Sequence, residues 1–383
     1  MKIPLAKPEI LESDIAAVVE VLRSPYLSQG PIMHAFEEAL AAYLGSPHAV
    51  VVNSGTSALQ LALRTLGIKE GDEVILPSFS FMAVTNAVLN EKAIPVFVDI
   101  SPNTFNIDPA KLATALSAKT KAIIVVHCFG YPAQMGEIIG FASRHALSVI
   151  EDACEAIGTE INGRKAGTLG DIGIFAFYPN KQMTTGEGGA LVTNSAMTAE
   201  ALRRLRNQGR QSSPGWFQHI EVGYSYRLSE INCALGLQQL FRIEQVLSRR
   251  EALARSYEER LTGNGNLTLY AKQSKDDRIS WFTYPVLLAE NFHQRDRDRI
   301  WASLKQTGIE CGRYFPPAHL QPVMRNVAFR CGDLSETVSI AGRLLCLPFF
   351  NSLDENQIEY VCAALSEALS HRTSPDNLAH ATS

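Results

Sequence analysis

The 383-residue chain has no long uncharged apolar run, and a membrane-spanning helix needs about 20 such residues. Neither sign of charge is in surplus: 35 Lys and Arg stand against 39 Asp and Glu, a net charge of −4. Such a balance gives no general attraction to nucleic acid or to an anionic membrane, and no helix-turn-helix segment or basic arm is evident. Cysteine is sparse. The seven residues Cys128, Cys154, Cys233, Cys311, Cys331, Cys346 and Cys362 are scattered, odd in number and without a close metal-site pair. They read as thiols of a reducing compartment, not as a disulfide frame. No Gly-rich run ends in Gly-Lys-Ser or Gly-Lys-Thr, and no GxGxxG follows a first strand. A nucleotide P-loop and a dinucleotide fingerprint are therefore excluded. There is no internal repeat and no low-complexity tract. The expectation is a cytoplasmic protein that binds neither nucleic acid nor membrane and holds no metal.

What is present is a steady alternation of short β-branched runs with amphipathic helices. After a helix at "ESDIAAVVEVLRS" and another ending at Tyr43, "AVVV" precedes "TSALQLALRTLG". "EVILP" precedes "FMAVTNAVLN", and "IPVFVDI" precedes "PAKLATALS". "KAIIVVHCFG" precedes "MGEIIGFASRHA", and "LSVIEDA" follows. This rhythm predicts an α/β fold with a mostly parallel sheet covered by helices on both faces. After about Val192 the pattern turns helical, and "SEINCALGLQQLFRIEQVLSRREALARSYEERL" reads as a helix long enough to link two bodies. The expected division is a large domain over residues 1–245, a smaller α+β domain over 246–370, and a loose polar tail over 371–383.

Three short stretches carry chemistry. In "NSGTSAL" a strand ends and Ser54, Gly55, Thr56 and Ser57 open a helix. Free backbone N–H groups there suit a phosphate, with Gly55 allowing close approach, although N-capping alone also explains the residues. In "SVIEDACEAIG" Asp152 follows a buried strand, where parallel sheets bind ligands. It is placed either to pair with a cationic group or to cap the next helix. In "FAFYPNKQMTTGEGG" Lys181 lies between aromatic residues and the turn-forming Gly186, Gly188 and Gly189. An amine packed there loses solvation and gains nucleophilic character, whereas a surface lysine would snorkel to water.

These stretches in this order, with "PSFSF" at 77–81, "YLSQG" near the N-terminus, "EVGYSYRLSEINCALGLQQL" and "IECGRYFPPAHLQP", resemble the DegT/DnrJ/EryC1/StrS aminotransferases. The resemblance spans nearly the whole chain. It implies the fold-type I architecture of pyridoxal 5'-phosphate (PLP) enzymes, with pyridoxamine phosphate as the amino-carrying form. It implies L-glutamate as donor, a nucleotide-linked keto sugar as acceptor, and a homodimer with shared active sites. Lys181 matches the lysine that holds PLP covalently and shuttles protons, and Asp152 the acid that pairs with the pyridine nitrogen. Phe81 matches an aromatic residue stacked on the ring, and Gly55, Thr56 and Ser57 match a phosphate cradle. Tyr178, Arg227 and His319 fall at positions near the substrate, Arg227 in a segment reaching toward the partner subunit. Three positions depart from the common pattern. Glu155 stands where many members have Gln or His near the ring hydroxyl, and is expected to be protonated or turned away. Ala176 replaces a phosphate-binding serine, and Ser225 an asparagine supplied by the partner. A related branch that dehydrates sugars carries histidine in place of the lysine, and Lys181 separates this chain from it. A cyclic ketone other than a sugar, or a PLP-binding regulator without turnover, is the alternative reading. Cys154, beside Asp152, is a position where oxidation would disturb the acid.

Overall fold

A computed structural model of the chain describes residues 1–211, 218–270 and 277–370. The expected tail at 371–383 lies outside the described residues. The chain begins with α1 (Glu12–Arg23), α2 (Pro31–Leu44), β1 (His48–Val52), α3 (Gly55–Thr65) and β2 (Glu73–Pro77). Next come α4 (Met82–Asn90), β3 (Ile94–Val98), α5 (Leu112–Ala115), β4 (Thr120–Val126), α6 (Met135–Arg144) and β5 (Ser148–Asp152). Two short strands, β6 (Glu160–Ile161) and β7 (Arg164–Lys165), precede β8 (Ile172–Ala176), β9 (Gly189–Thr193) and α7 (Ala196–Arg206). The remainder is α8 (Glu230–Phe241), α9 (Ile243–Leu261), β10 (Leu267–Thr268), β11 (Tyr284–Leu288) and α10 (Gln294–Gln306). Then follow β12 (Arg330–Cys331), α11 (Ser335–Arg343), β13 (Leu344–Leu347) and α12 (Glu355–Ser370).

The large sheet runs β1-β9-β8-β5-β4-β2-β3-β12. From β8 to β12 every neighbour is parallel, and β9 alone runs against its neighbours β8 and β1. The expected mostly parallel sheet is what the chain builds. Its strands are apolar on both faces because each face carries a core, and the two-residue side-chain period divides the cores cleanly. Val50 and Val52, Val74 and Leu76, and Ile124 and Val126 enter one cluster. The intervening Val51, Ile75, Ile123 and Val125 enter the other, together with Phe36 and Leu40 of α2 and Ile138 of α6.

A three-stranded antiparallel sheet, β10-β11-β13, packs with α9, α10 and α12 around a third cluster. Two segments cross the expected 245/246 division. Ile3 pairs with Ile309 and packs in this third cluster. In return, β12 joins the edge of the large sheet beside β3.

The long helix expected over 229–261 is two helices. They meet at Arg242, whose φ of −112° and ψ of 12° leave the helical region. Arg242 uses both terminal nitrogens on the buried Asp14 carboxylate, at 2.5 and 2.7 Å, and reaches the Glu9 carbonyl at 3.1 Å. A guanidinium held in this two-pronged way fixes the bend and ties α1 against α8. The helix expected at "PAKLATALS" shortens to a 3-10 turn at 109–111 and one α-turn. Among the described residues, no helix is long and apolar enough to cross a membrane.

Candidate active site

The carboxyl ends of β1, β2, β4, β5 and β8 and the start of β9 lie on one edge of the large sheet, because β9 reverses direction. Parallel sheets bind ligands at this edge. The Lys181 loop is the connection between β8 and β9, which pair Ala176 with Gly189 at their base. Phe177 N–H donates to the Gly188 carbonyl at 2.9 Å and Thr185 N–H to the Phe177 carbonyl at 3.0 Å, closing the loop. Inside it Lys181 N–H donates to the Tyr178 carbonyl at 2.9 Å. Gly186, with φ +83°, supplies the left-handed turn that the glycine run suggested.

The loop turns Lys181 inward. Its Nζ is 3.2 Å from Glu155 Oε1 and 4.1 Å from the centre of the Phe282 ring. The side chain is 13% exposed, so the snorkelling alternative does not hold. Glu155 is fixed at its other oxygen, where Oε2 accepts the Phe129 N–H at 2.9 Å. Burial pushes the Glu155 carboxyl up from its ordinary range, although the Lys181 ammonium and the Phe129 N–H both act downward. The carboxyl that was expected to be protonated or turned away is turned onto the lysine.

Asp152 is the last residue of β5 and is buried. Its Oδ1 accepts the Cys154 N–H two residues on at 3.0 Å. Cys154 joins this acid to the start of α3. A Cβ placed on Gly55 would lie 3.2 Å from Cys154 Sγ and 2.8 Å from Ala176 Cβ. Burial first, and then the Asp152 charge, push the Cys154 thiol well up. So little thiolate forms that the thiol is a poor target for the oxidation considered above.

At the start of α3, Ser54 Oγ accepts the Ser57 N–H at 3.1 Å and donates to Ser57 Oγ at 2.9 Å. The N-cap reading therefore holds for Ser54 and Ser57. The N–H groups of Gly55 and Thr56, in the first turn, have no intrahelical acceptor. The segment carrying Ser225 and Arg227 runs alongside, since the Tyr226 carbonyl accepts the Asn53 N–H at 3.0 Å. Ser225 pairs with Asn207, and Arg227 Nη1 donates to Asn207 Oδ1 at 3.1 Å. Phe81 precedes α4 and is 64% exposed, and Tyr178 is 52% exposed at the head of the lysine loop. His319 stands apart from Lys181 in its contacts. Its Nδ1 is 2.6 Å from Ser78 Oγ, and it lines a separate groove with Cys331, Asp333 and Ser335. Its surroundings are those of a hydrogen-bonded histidine beside a loop proline.

Several residues of the site carried no signal in the chain. Phe282 under the lysine comes from the segment before β11 and is held by Arg250, whose Nη1 bonds the Trp281 and Phe282 carbonyls at 3.1 and 3.2 Å. Burial pushes the Arg250 guanidinium down to about 10. Gln182 Nε2 bonds the Glu155 carbonyl at 2.6 Å and Ser280 Oγ at 3.0 Å, which stitches the same segment to the site. Phe129 adopts a φ of +57° to point its N–H at Glu155. A long-range contact made through backbone atoms leaves no residue pattern to read.

These residues fit PLP on the structure's own terms. A buried amine, a carboxylate at the end of β5 and an open helix start converge on one edge. The start of α3 fits against the base of the β8–β9 loop only because glycine stands at two positions. A Cβ on Gly189 would meet the Ser54 carbonyl carbon at 2.6 Å and the Gly55 nitrogen at 2.7 Å. Fold and site together define a PLP-dependent transferase of fold type I. The chain belongs to the DegT/DnrJ/EryC1/StrS aminotransferase family, whose family model matches residues 8–366. It is 38% identical to a GDP-perosamine synthase of Caulobacter vibrioides, over 96% of this chain and 98% of that one. Among solved structures it is similar to DesV of S. venezuelae, with a TM-score of 0.87 and 36% identity over 94% and 95% of the two chains. It is likewise similar to Helicobacter pylori PseC, an aminotransferase involved in the biosynthesis of pseudoaminic acid. There the TM-score is 0.91, with 30% identity over 96% and 99% of the two chains.

Proposed function

We propose that this aminotransferase moves an amino group from L-glutamate to the ketone of a nucleotide-linked sugar. The observation that carries the reading is the placement of one buried amine, Lys181 Nζ, on the sheet edge that also presents Asp152 and the start of α3. Similarity to a GDP-perosamine synthase and to PseC supports a sugar acceptor. Bound PLP supplies an electron sink and carries the amino group between two half-reactions. Lys181 holds the group and moves the proton at the donor α-carbon, with its Nζ shielded from water by Phe282. Asp152 Oδ1 accepts the Cys154 N–H, and the carboxylate would hold the ring nitrogen of bound PLP. The Gly55 and Thr56 N–H groups receive the phosphate at the positive end of α3, with Ala176 offering a methyl where a hydroxyl would add a donor. Phe81 would present its ring to the cofactor face, while Tyr178 and Arg227 would serve the sugar side.

The test is the visible absorbance of the PLP-loaded protein. L-Glutamate is expected to bleach the lysine-bound cofactor band, and one member of a panel of keto-sugar nucleotides to restore it. No bleaching in fully loaded protein overturns the reading. Restoration only by a cyclic ketone lacking the nucleotide replaces the acceptor.

The same reading includes a homodimer with shared sites, to which Ser225 and Arg227 contribute across the interface. Exposed apolar side chains on nearby elements, Ile220, Val222 and Phe241 at 57, 80 and 68%, are what a partner subunit would cover. Light scattering is expected to give twice the chain mass, and the mass of one chain refutes the dimer.

A further inference from the structure

Glu155 is a buried carboxyl with an unequal pair of oxygens. Oε2 is bound to serve as an acceptor, because the Phe129 N–H points at it from 2.9 Å and backbone cannot reverse its role. Phe129 is itself buried and lies at φ +57°, so this donor is set by a turn the surrounding core holds. The Glu155 main chain is pinned as well, through its carbonyl to Gln182 Nε2 at 2.6 Å. The carboxyl can therefore carry a proton only on Oε1, and Oε1 faces Lys181 Nζ at 3.2 Å.

Among the described residues, Lys181 is the one cation that bonds or ion-pairs with the Glu155 carboxyl. Asp152, the thiols of Cys128, Cys154 and Cys346, and the Tyr314 hydroxyl also act on it or are acted on by it. All of these are neutral or negative. While Lys181 is an ammonium, Glu155 is a paired anion. When the amine loses its charge, as a nucleophile must, Glu155 is left as a lone buried anion beside a second carboxylate. Such an anion is costly, and two close carboxylates do not both stay ionised.

We infer that Glu155 is the proton acceptor for Lys181. The proton passes directly from Nζ to Oε1. One N–H bond breaks and one O–H bond forms. An ammonium and a carboxylate become a neutral amine and a carboxylic acid, with no change in net charge and no co-reactant. The pair holds one proton between them. Burial, which already pushes the carboxyl up, lowers the cost of the neutral form of the pair. The inference deepens the aminotransferase reading and rests on it for the role of Lys181, but its test does not need turnover.

The test is infrared spectroscopy of full-length protein without added PLP at pH 7. Lys181→Met removes the cation and keeps the length of the side chain. A protonated-carboxyl C=O band is expected in Lys181→Met. It is expected to be absent from the parent and from the Lys181→Met, Glu155→Gln double variant. Absence of the band in folded Lys181→Met overturns the inference, since Glu155 then stays ionised without its partner. A second measurement covers the case in which Lys181→Met does not fold. In Glu155→Gln the pH midpoint for acylation of Lys181 by acetic anhydride, followed by mass spectrometry, is expected to fall by about one unit or more. An unchanged midpoint overturns the inference equally. A protein that shows the band but aminates no sugar nucleotide retains the proton acceptor and loses the substrate reading. An active aminotransferase without the band does the reverse.

Discussion

Lys181→Ala is expected to abolish amino transfer. The loss is at least about 10⁴-fold in turnover, because in the proposed function one group both holds the cofactor and moves the proton, and a positioned acid–base group alone contributes up to about that factor. The structure leaves no substitute on hand. Among the described residues, the Nζ is the only amine that contacts Glu155 and the Phe282 ring. Gln182, the next residue, is already bound to the Glu155 and Ser280 backbone. The fold should survive, since Lys181 sits on a loop whose closing bonds run through Phe177, Thr185 and Gly188. PLP should still bind through the start of α3, but without the visible band of the lysine-bound form. The measurement is single-turnover conversion of L-glutamate with PLP present, alongside the spectrum and a thermal melt. Transfer at more than about a thousandth of the parent rate removes Lys181 from the acid–base role. A lost melt would assign it a structural one.

How much of this could be read from the chain follows from the range of each contact. The parallel sheet was legible because strand runs such as "EVILP" and "KAIIVV" are apolar on both faces, and a strand buried on both faces cannot alternate. Asp152 and Gly55 were legible because each lies at or just past the end of such a run, and the end of a run predicts the edge of the sheet. Lys181 was legible from the glycines around it. The break at Arg242 was not. The helical pattern of α8 and α9 continues through it, and the cause is a salt bridge to Asp14, 228 residues earlier. Nor was the turning of Glu155 onto Lys181, which needs the Phe129 N–H and Gln182, residues that look like ordinary core and loop. His319 shows the converse. A histidine between prolines drew attention in the chain, and the structure gives it a serine partner at the end of β2.

Glu151→Ala is expected to cost on the order of 4 kcal/mol of stability. Glu151 precedes Asp152 in β5 and points to the opposite face of the sheet, where neither it nor His127 has any exposed side-chain surface. Its Oε1 accepts the Leu169 and Gly170 N–H groups, both at 2.6 Å, and Oε2 accepts the Gly167 N–H at 2.9 Å. The fourth partner is His127 Nε2 at 3.0 Å. His127 Nδ1 accepts the Ala133 N–H at 3.1 Å, which makes Nε2 the protonated nitrogen and so a donor to Glu151. One carboxylate therefore satisfies four donors from two parts of the chain, His127 and the turn at 167–170, and its removal strands them all. Glu151→Gln keeps one acceptor but turns an amide donor toward other donors, so it should lose on the order of 2 kcal/mol. Burial acts to raise the Glu151 carboxyl, but His127 and the backbone N–H groups overcome it and hold it below its ordinary range. Asp14 and Asp99 are also held low, burial being overcome by Arg242 in the first and chiefly by Thr337 in the second. A carboxyl lowered by folding stabilises the protein above its unfolded value, and that contribution disappears as pH falls through the lower folded value. The parent should therefore lose stability below about pH 4, where unfolded carboxyls protonate. Glu151→Ala should lose it less steeply, having one such group fewer. Urea unfolding midpoints between pH 7 and pH 3 measure both effects. Equal midpoints for parent and variant at pH 7 would show that water replaces the carboxylate. Because Glu151 adjoins Asp152, a variant that unfolds earlier should also hold PLP more weakly, which links the buried histidine pair to the site on the other face of the same strand.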